Sequence, residues 1–353
     1  MNFKIATLSG DGIGPEVTEQ AIKSLKAIAS KAGHSFDFKH SPVGAVAIDE
    51  TGDPFPMDTF KNCEDSDAVL FGAIGHPRFD NDPTAKVRPE QGLLRMRKDL
   101  GLFANIRPVQ IFPSQLDKSP LRREIVEGSD FVVIRELTGG VYFGTRGRSE
   151  DLNMAFDTMT YTKPEIERII NLAFEYARKR KNKVTLVDKA NVLASSRLWR
   201  ETMQGMVGDN SDVDVDYLFV DNAAMQIIQW PKQFDVMVTS NLFGDILSDE
   251  SSVITGSLGL LPSASIGKST SVFEPVHGSY PEGAGRDIAN PIATILSAAM
   301  LLDHLNLIEE GDLVRAAVDK SMQDNFVTED LDKSVSKKCS EVGDYIANCI
   351  LES

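Results

Sequence analysis

Apolar and polar positions follow two periods along this chain. Runs rich in β-branched and other apolar residues at 4–8, 67–73, 131–135, 183–188, 213–220 and 234–240 read as strands, most of them buried. Residues 103–109 read as a further strand, and 153–162 alternate with the period of two that a half-buried strand shows. Between these lie helical stretches. After Pro15, placed for a first helical position, Val17, Ile22, Leu25 and Ile28 form one apolar stripe. Further helices are expected at 89–100, 164–180, after Val192 through Arg200, and at 222–230. From Asn241 another helix is expected, with Ser240 and Asn241 suited to capping it. Past a Gly/Pro/Ser-rich stretch from residue 256, an apolar helix at 292–305 and two amphipathic helices close the chain. Strands alternating with helices make this an α/β protein, and no internal repeat interrupts the pattern.

Several of these strands stop at a charged residue that opens the next element: Arg135, Lys189, Asp221 and Asp245. Groups just past buried strands are where α/β folds build their sites. The stretch 236–252 is the densest of these. A helix from Asn241 puts Asp245 and Asp249 on one face, where two like charges repel by ~0.2–0.5 kcal/mol unless something positive sits between them. A divalent cation with oxygen ligands, such as Mg²⁺, would fill that role, and Asp221 offers a third carboxylate; the ordinary alternative is a solvated helix face.

Other candidates each have a plain reading beside the chemical one. Arg97, Arg107 and Arg135 are guanidinium forks near element ends, apt for carboxylates or for ordinary ion pairs. Tyr142 lies in the glycine-flanked turn 138–145, as a packed aromatic or as a proton donor. Lys189 follows a buried strand, and desolvation with a neighbouring cation would lower its pKa. Residues 9–16 form a strand-to-helix glycine turn whose spacing, G-x-G-x-G, is not the dinucleotide fingerprint, and no acidic residue ends a second strand about 20 residues on. The loop 74–88, with Pro77 and Pro83 and followed by Pro89, is long enough to read as functional. Residues 273–290 are rich in glycine without the Walker spacing; they would cradle a nucleotide through backbone N–H groups, and His277 alone is more ordinarily structural.

Composition narrows the classes. At 353 residues and 42% hydrophobic content, the chain is large enough for two domains or one large α/β unit. A net charge of −15 argues against nucleic acid or an anionic membrane as partner, so an anionic substrate must be met by local arginines. Cys63, Cys339 and Cys349 are odd in number and without metal-ligand spacing, which suits reduced thiols. With no leader before the first strand and no apolar run of membrane-spanning length, a soluble cytoplasmic protein is expected.

The blocks GDGIGPEV, NIRPV, RELTGGVYFG, VDKANVL, VDNAAMQ, TSNLFGDILSD and FEPVHGS followed by GAG and IANP resemble the isocitrate/isopropylmalate dehydrogenase family of β-decarboxylating dehydrogenases, from residue 4 to beyond 300. The resemblance implies a two-domain α/β fold with a large mixed sheet flanked by helices, not a Rossmann fold. A large nucleotide-binding domain would comprise residues 1–102 plus 256–353, and a central domain, 103–255, would carry the dimer interface and the metal and substrate residues. It also implies a homodimer with shared active sites. Asp245 and Asp249 would bind Mg²⁺ or Mn²⁺ with Asp221 from the partner subunit, and Asp221 also borders the substrate. Arg97, Arg107 and Arg135 would hold the carboxylates of a 2-hydroxy dicarboxylic acid. Lys189, reaching across the dimer, would take the hydroxyl proton, and Tyr142 would protonate the enol carbon. Glu274, His277, Gly278, Ser279, Glu282 and Asn290 would line the nucleotide, with Glu282 on the adenosine ribose; an acidic residue there favours NAD over NADP.

Substrate choice in the family rests on the helix from Glu90 to Arg97. Leu93 and Leu94, with Val192 nearby by analogy, would suit an isopropyl group and penalise a charged substituent. The expected reaction is therefore the NAD- and metal-dependent oxidative decarboxylation of 3-isopropylmalate to 4-methyl-2-oxopentanoate in leucine biosynthesis. A sister activity on D-malate, tartrate, homoisocitrate or isocitrate is the first alternative. A non-catalytic regulatory subunit is the second; it would be expected to lack a metal carboxylate, the lysine or the tyrosine, and all are present here. Two places depart from the family pattern and bear on cofactor affinity: Glu282 with Gly283, where Asp and an aliphatic residue are usual, and the loop after Gly75.

Overall fold

The computed structural model describes residues 1–80 and 85–353; Pro83, within the loop read as functional, lies outside the described residues. The chain divides into two compact units, one of Met1–Leu102 with Gly256–Ser353 and one of Phe103–Thr255.

In the first unit, five strands among the described residues run in the order Ser35–His40, Asn2–Gly10, Ala68–Ala73, Val272–Pro275, Pro262–Ile266. The first three pair in parallel, Val272–Pro275 runs parallel to Ala68–Ala73, and Pro262–Ile266 is antiparallel to it. Ala68–Ala73 is buried along its whole length, as a central parallel strand covered on both faces must be. The helix Gly14–Ala32 packs against Ile292–His304 and Cys339–Glu352, which ties the two ends of the chain into one core. Of the expected stripe, Val17, Leu25 and Ile28 are buried and Ile22 partly so.

In the second unit the order is Ala104–Gln110, Asp130–Glu136, Val236–Thr239, Lys183–Asp188, Asp214–Phe219. The first pair is antiparallel and the rest are parallel. The helices Lys163–Arg178, Ala194–Val207, Val220–Gln229 and Asn241–Ser252 accompany these strands. Phe131, Val133, Val187, Met237, Leu247 and Ile254 share one core cluster, so the helix bearing the paired aspartates is anchored by Leu247.

The α/β class and the mixed strand directions agree with the sequence, but three local expectations fail. The strand expected over 153–162 shrinks to Ala155–Asp157, paired with Arg146–Arg148 in an exposed hairpin apart from the main strands. Its apolar residues Met154 and Phe156 point to no core, so alternation alone did not earn burial there. Residues read as a Gly/Pro/Ser-rich loop after 256 contain Pro262–Ile266 and Val272–Pro275, where buried serines take strand positions usually held by apolar residues. Ser240 sits at the N-cap of Asn241–Ser252 but makes no side-chain cap. Tyr161 supplies it instead: its hydroxyl accepts the Asn241 N–H at 2.9 Å.

No helix among the described residues is long and apolar enough to cross a membrane. The three cysteines are free and buried, and burial pushes the thiols of Cys63 and Cys339 up to about 12, so they stay protonated and inert.

Candidate active site

Strand ends in the second unit bring five of the singled-out residues together. Arg135, next to last in Asp130–Glu136, is buried and ion-paired with Asp245, and two of its nitrogens donate to Asn241 Oδ1 at 2.9 and 3.2 Å. Gly244 makes this approach possible, because a Cβ there would sit 2.6 Å from Arg135 Cγ. Tyr142 donates its hydroxyl to the other Asp245 oxygen at 2.7 Å. One turn on, Asp249 accepts from Arg107 Nη1 at 2.7 Å, and the same nitrogen donates to Ser248 Oγ at 2.7 Å. Each of the two aspartates thus meets an arginine of its own, from adjacent antiparallel strands. Burial, together with the Asp245 carboxylate that its hydroxyl faces, raises the Tyr142 pKa and keeps the phenol protonated.

Lys189 and Asp221 form a second group. Lys189 Nζ lies 2.5 Å from Asp221 Oδ1, and this contact holds the Asp221 carboxyl below its ordinary range. The turn carrying Lys189 is fixed by its neighbour Asp188. That carboxylate is buried, takes two bonds from Arg200 at 2.8 and 2.9 Å, and accepts the Ala190 N–H at 2.9 Å. Among the described residues no three Asp, Glu, His or Cys side chains converge on one point, so a single chain does not gather Asp221 with Asp245 and Asp249. Val192 is exposed just beyond Lys189, its carbonyl accepting from Arg197 at 3.2 Å.

The remaining candidates belong to the first unit. Arg97 lies 3.9 Å from the buried Glu274. On the same helix, Pro89–Asp99, Glu90 and Leu94 are exposed and Leu93 partly buried. The glycine turn after the first strand serves the packing of the backbone: a Cβ on Gly10 would lie 1.9 Å from Ala73 O, and one on Gly12 would lie 2.0 Å from Ser279 O. Buried Asp11 accepts the N–H groups of Ala45, Val46 and Gly75 at 2.9, 3.1 and 2.9 Å, joining that turn to the loop after Gly75. Asn290 is used by the fold at both ends, capping Ile292 at 3.0 Å and donating to Asp330 at 3.0 Å. His277 is different. Its Nδ1 lies 3.0 Å from the Gly278 carbonyl, whereas Nε2 is buried with no partner among the described residues. Burial lowers the pKa of this imidazole. Beside it, Gly278 faces open space, Ser279 is buried and Glu282 is exposed.

The sequence model described as isocitrate/isopropylmalate dehydrogenase matches residues 4–346. The chain belongs to the isocitrate/isopropylmalate dehydrogenase family. Within that family it is similar to the 3-isopropylmalate dehydrogenase of Bacteroides fragilis, at 58% identity covering 99% of both chains. It is also similar to that of Aquifex aeolicus, at 50% identity over 99% of this chain and 97% of the relative. The isocitrate dehydrogenase of Methylococcus capsulatus has the same fold, with a TM-score of 0.89 and 32% identity over 99% of both chains. A β-decarboxylating dehydrogenase of Thermococcus kodakarensis superposes with a TM-score of 0.83, at 34% identity over 99% of this chain and 96% of that one. Membership makes this chain a dehydrogenase, with the non-Rossmann α/β fold of its family.

The side chains present fit the groups that this family implies. Asp245 and Asp249 offer hard carboxylate oxygens on one partly exposed helix face, the donor chemistry of Mg²⁺ or Mn²⁺. The unpartnered Nε2 of His277 and the open face of Gly278 fit a nucleotide. Sequence reasoning overlooked Tyr161, Asp188 and Arg200. Asp188 lies in the block VDKANVL but was passed over for Lys189, while Tyr161 and Arg200 belong to no motif and only border a candidate element.

Proposed function

We propose that this enzyme oxidises and decarboxylates 3-isopropylmalate to 4-methyl-2-oxopentanoate, using NAD and Mg²⁺ or Mn²⁺, as a step of leucine biosynthesis. The observation that carries the reading is the joining of Tyr142, Arg135, Arg107, Asp245 and Asp249 into one hydrogen-bonded cluster, in a chain 58% identical to a protein bearing that activity in its name. Leu93 and Leu94 favour the isopropyl substrate over one with a third carboxylate, since a charge buried against them would lack a partner.

When bound, the divalent cation polarises the substrate hydroxyl and the nicotinamide accepts a hydride. The chain's own residues do the rest. Arg107 and Arg135, with Arg97, hold the carboxylates through charge-assisted bonds. Lys189 takes the hydroxyl proton at Nζ as the carbon loses hydride. After CO₂ leaves, Tyr142 returns a proton from its hydroxyl to the vacated carbon. Glu282 would hold the ribose hydroxyls and disfavour a 2′-phosphate.

The working unit in this reading is a homodimer in the cytoplasm. Exposed Met225, Trp230, Ile246 and Val253, on or next to the helices that carry Asp221, Asp245 and Asp249, are apolar side chains that a second copy would cover. Lys189 and Asp221 would then complete the partner subunit's site. The test is NADH formation from NAD⁺ and Mg²⁺ with 3-isopropylmalate, isocitrate, D-malate and tartrate side by side, with and without EDTA. Turnover of isopropylmalate alone, abolished by the chelator and restored by excess Mg²⁺ or Mn²⁺, is expected. Preference for another acid overturns the assignment of Leu93 and Leu94. No turnover with any of them overturns the enzymatic reading in favour of a regulatory subunit.

A further inference from the structure

Tyr161, in the segment linking the strand Ala155–Asp157 to the helix Lys163–Arg178, is buried, and its side chain meets three other parts of the chain at once. Its hydroxyl accepts the Asn241 N–H at 2.9 Å, one of the N–H groups that a helix N-terminus leaves without an internal partner. Its ring lies against the glycine turn that leads to Tyr142. A Cβ on Gly139 would come 2.7 Å from Tyr161 Cε1, and one on Gly140 would come 2.3 Å from Oη. The ring also meets Trp199 edge-on, with centroids 5.4 Å apart, on the helix that follows the Lys189 turn.

Glu136 grips the same glycine turn through its backbone. Fully buried, its carboxylate accepts Thr138 N–H and Oγ1–H at 2.8 Å each and Gly139 N–H at 2.7 Å, with Arg168 at 3.5 Å. Asn241 closes the arrangement: its Nδ2 donates to the Gly139 carbonyl at 3.2 Å while its Oδ1 receives Arg135. Paired glycines are the most freely moving backbone available, and Gly140 already has φ 76°. Without a wedge this turn would hold Tyr142 loosely.

We propose that Tyr161 is a positioning residue for this reaction, seating the turn that presents Tyr142 and capping the helix that presents Asp245 and Asp249, so that proton donor and metal carboxylates keep one spacing. This rests on the reading of Tyr142 as the proton donor. None of these contacts touches substrate; Tyr161 acts through its neighbours.

The test uses the full-length enzyme with Mg²⁺ and NAD⁺, comparing Tyr161→Phe, Glu136→Gln and Tyr142→Phe. Tyr161→Phe keeps the ring and removes only the hydroxyl. It should lower kcat about 10- to 100-fold, as a displacement near 1 Å does, while the substrate KM stays within about threefold. Because the donor is the misplaced group, the D₂O effect on kcat should rise above that of the wild type, which a merely structural loss would not cause. Glu136→Gln, which weakens the hold on Gly139 from the other contact, should show the same split. Wild-type kcat and isotope effect in Tyr161→Phe and Glu136→Gln, with Tyr142→Phe inactive, overturn the proposal and leave the donor reading standing. A lowered kcat with unchanged isotope effect, or with circular dichroism showing a disordered chain in both variants, also overturns it. Full activity in Tyr142→Phe overturns the donor reading and this proposal with it.

Discussion

Lys189 Nζ and Asp221 Oδ1 lie 2.5 Å apart, in a chain whose described residues nowhere bring Asp221 together with Asp245 and Asp249. Lys189 and Asp221 thus form a pair of their own, while Tyr142, Asp245 and Asp249 gather with Arg135 and Arg107. In the homodimer proposed above, each cluster would be completed by the other chain's pair.

Complementation tests that sharing. Lys189→Met and Asp245→Asn homodimers should each be inactive, with Lys189→Met still binding NAD in a fluorescence titration. Mixed after reversible dissociation, half the dimers are hybrids, each with one intact site. Activity should then return to about one quarter of the wild-type level. A mixture that stays inactive, despite hybrid dimers seen by native mass spectrometry, rules out shared sites.

The Lys189–Asp221 contact sets a pH dependence of known sign. Its carboxyl is lowered by Lys189, so the contact is fully present above the ordinary aspartate value of ~3.9 and is lost as pH falls through the lowered value. Carbon-13 NMR of Asp221 should give a midpoint below that of a free aspartate. Lys189→Met should bring it back up.

Leu93→Glu should lower kcat/KM for isopropylmalate by about 10- to 200-fold, the range that pocket contacts provide, with the metal requirement intact. Competition between isopropylmalate and isocitrate in one assay reads the shift directly. An unchanged ratio would remove Leu93 from the pocket.

Gly283 and Tyr280 should behave as a pair. A Cβ on Gly283 would lie 2.4 and 2.5 Å from Tyr280 ring carbons, so the tyrosine occupies the room that an aliphatic residue at 283 needs. Gly283→Ala should cost about 1–3 kcal/mol by overpacking and raise the NAD KM. Tyr280→Gly with Gly283→Ala should recover most of both losses, since residues in contact are not additive. Thermal melts and NAD saturation curves on the three variants measure it. No loss in Gly283→Ala would show that the ring gives way freely, and equal losses in Gly283→Ala and the double variant would show that Tyr280 is not the obstacle.

Much of the chemistry was legible because it is local. Asp245 and Asp249 share a helix face by the 3.6-residue period, and Arg135, Lys189 and Asp221 stand at or just past strand ends that their apolar runs announce, whereas Asp245, read as opening an element, lies inside its helix. Asn290 and the glycines at 10 and 12 were noticed for a possible ligand, yet their visible work is capping and close packing. The hairpin strand was overextended because alternation reports periodicity, whereas burial depends on what lies opposite.

By itself, the order of residues determined the α/β class, most of the strands and helices of the central stretch and the family, since each depends on short-range periodicity or on contiguous motifs. Only the tertiary structure decided the partners. It put Arg107 on Asp249 and Arg135 on Asp245, placed Tyr161 under the Asn241 N–H, and set Lys189 with Asp221 away from the other carboxylates. Those pairings join residues far apart in the chain through strand adjacency and packing in three dimensions, which no local spacing encodes.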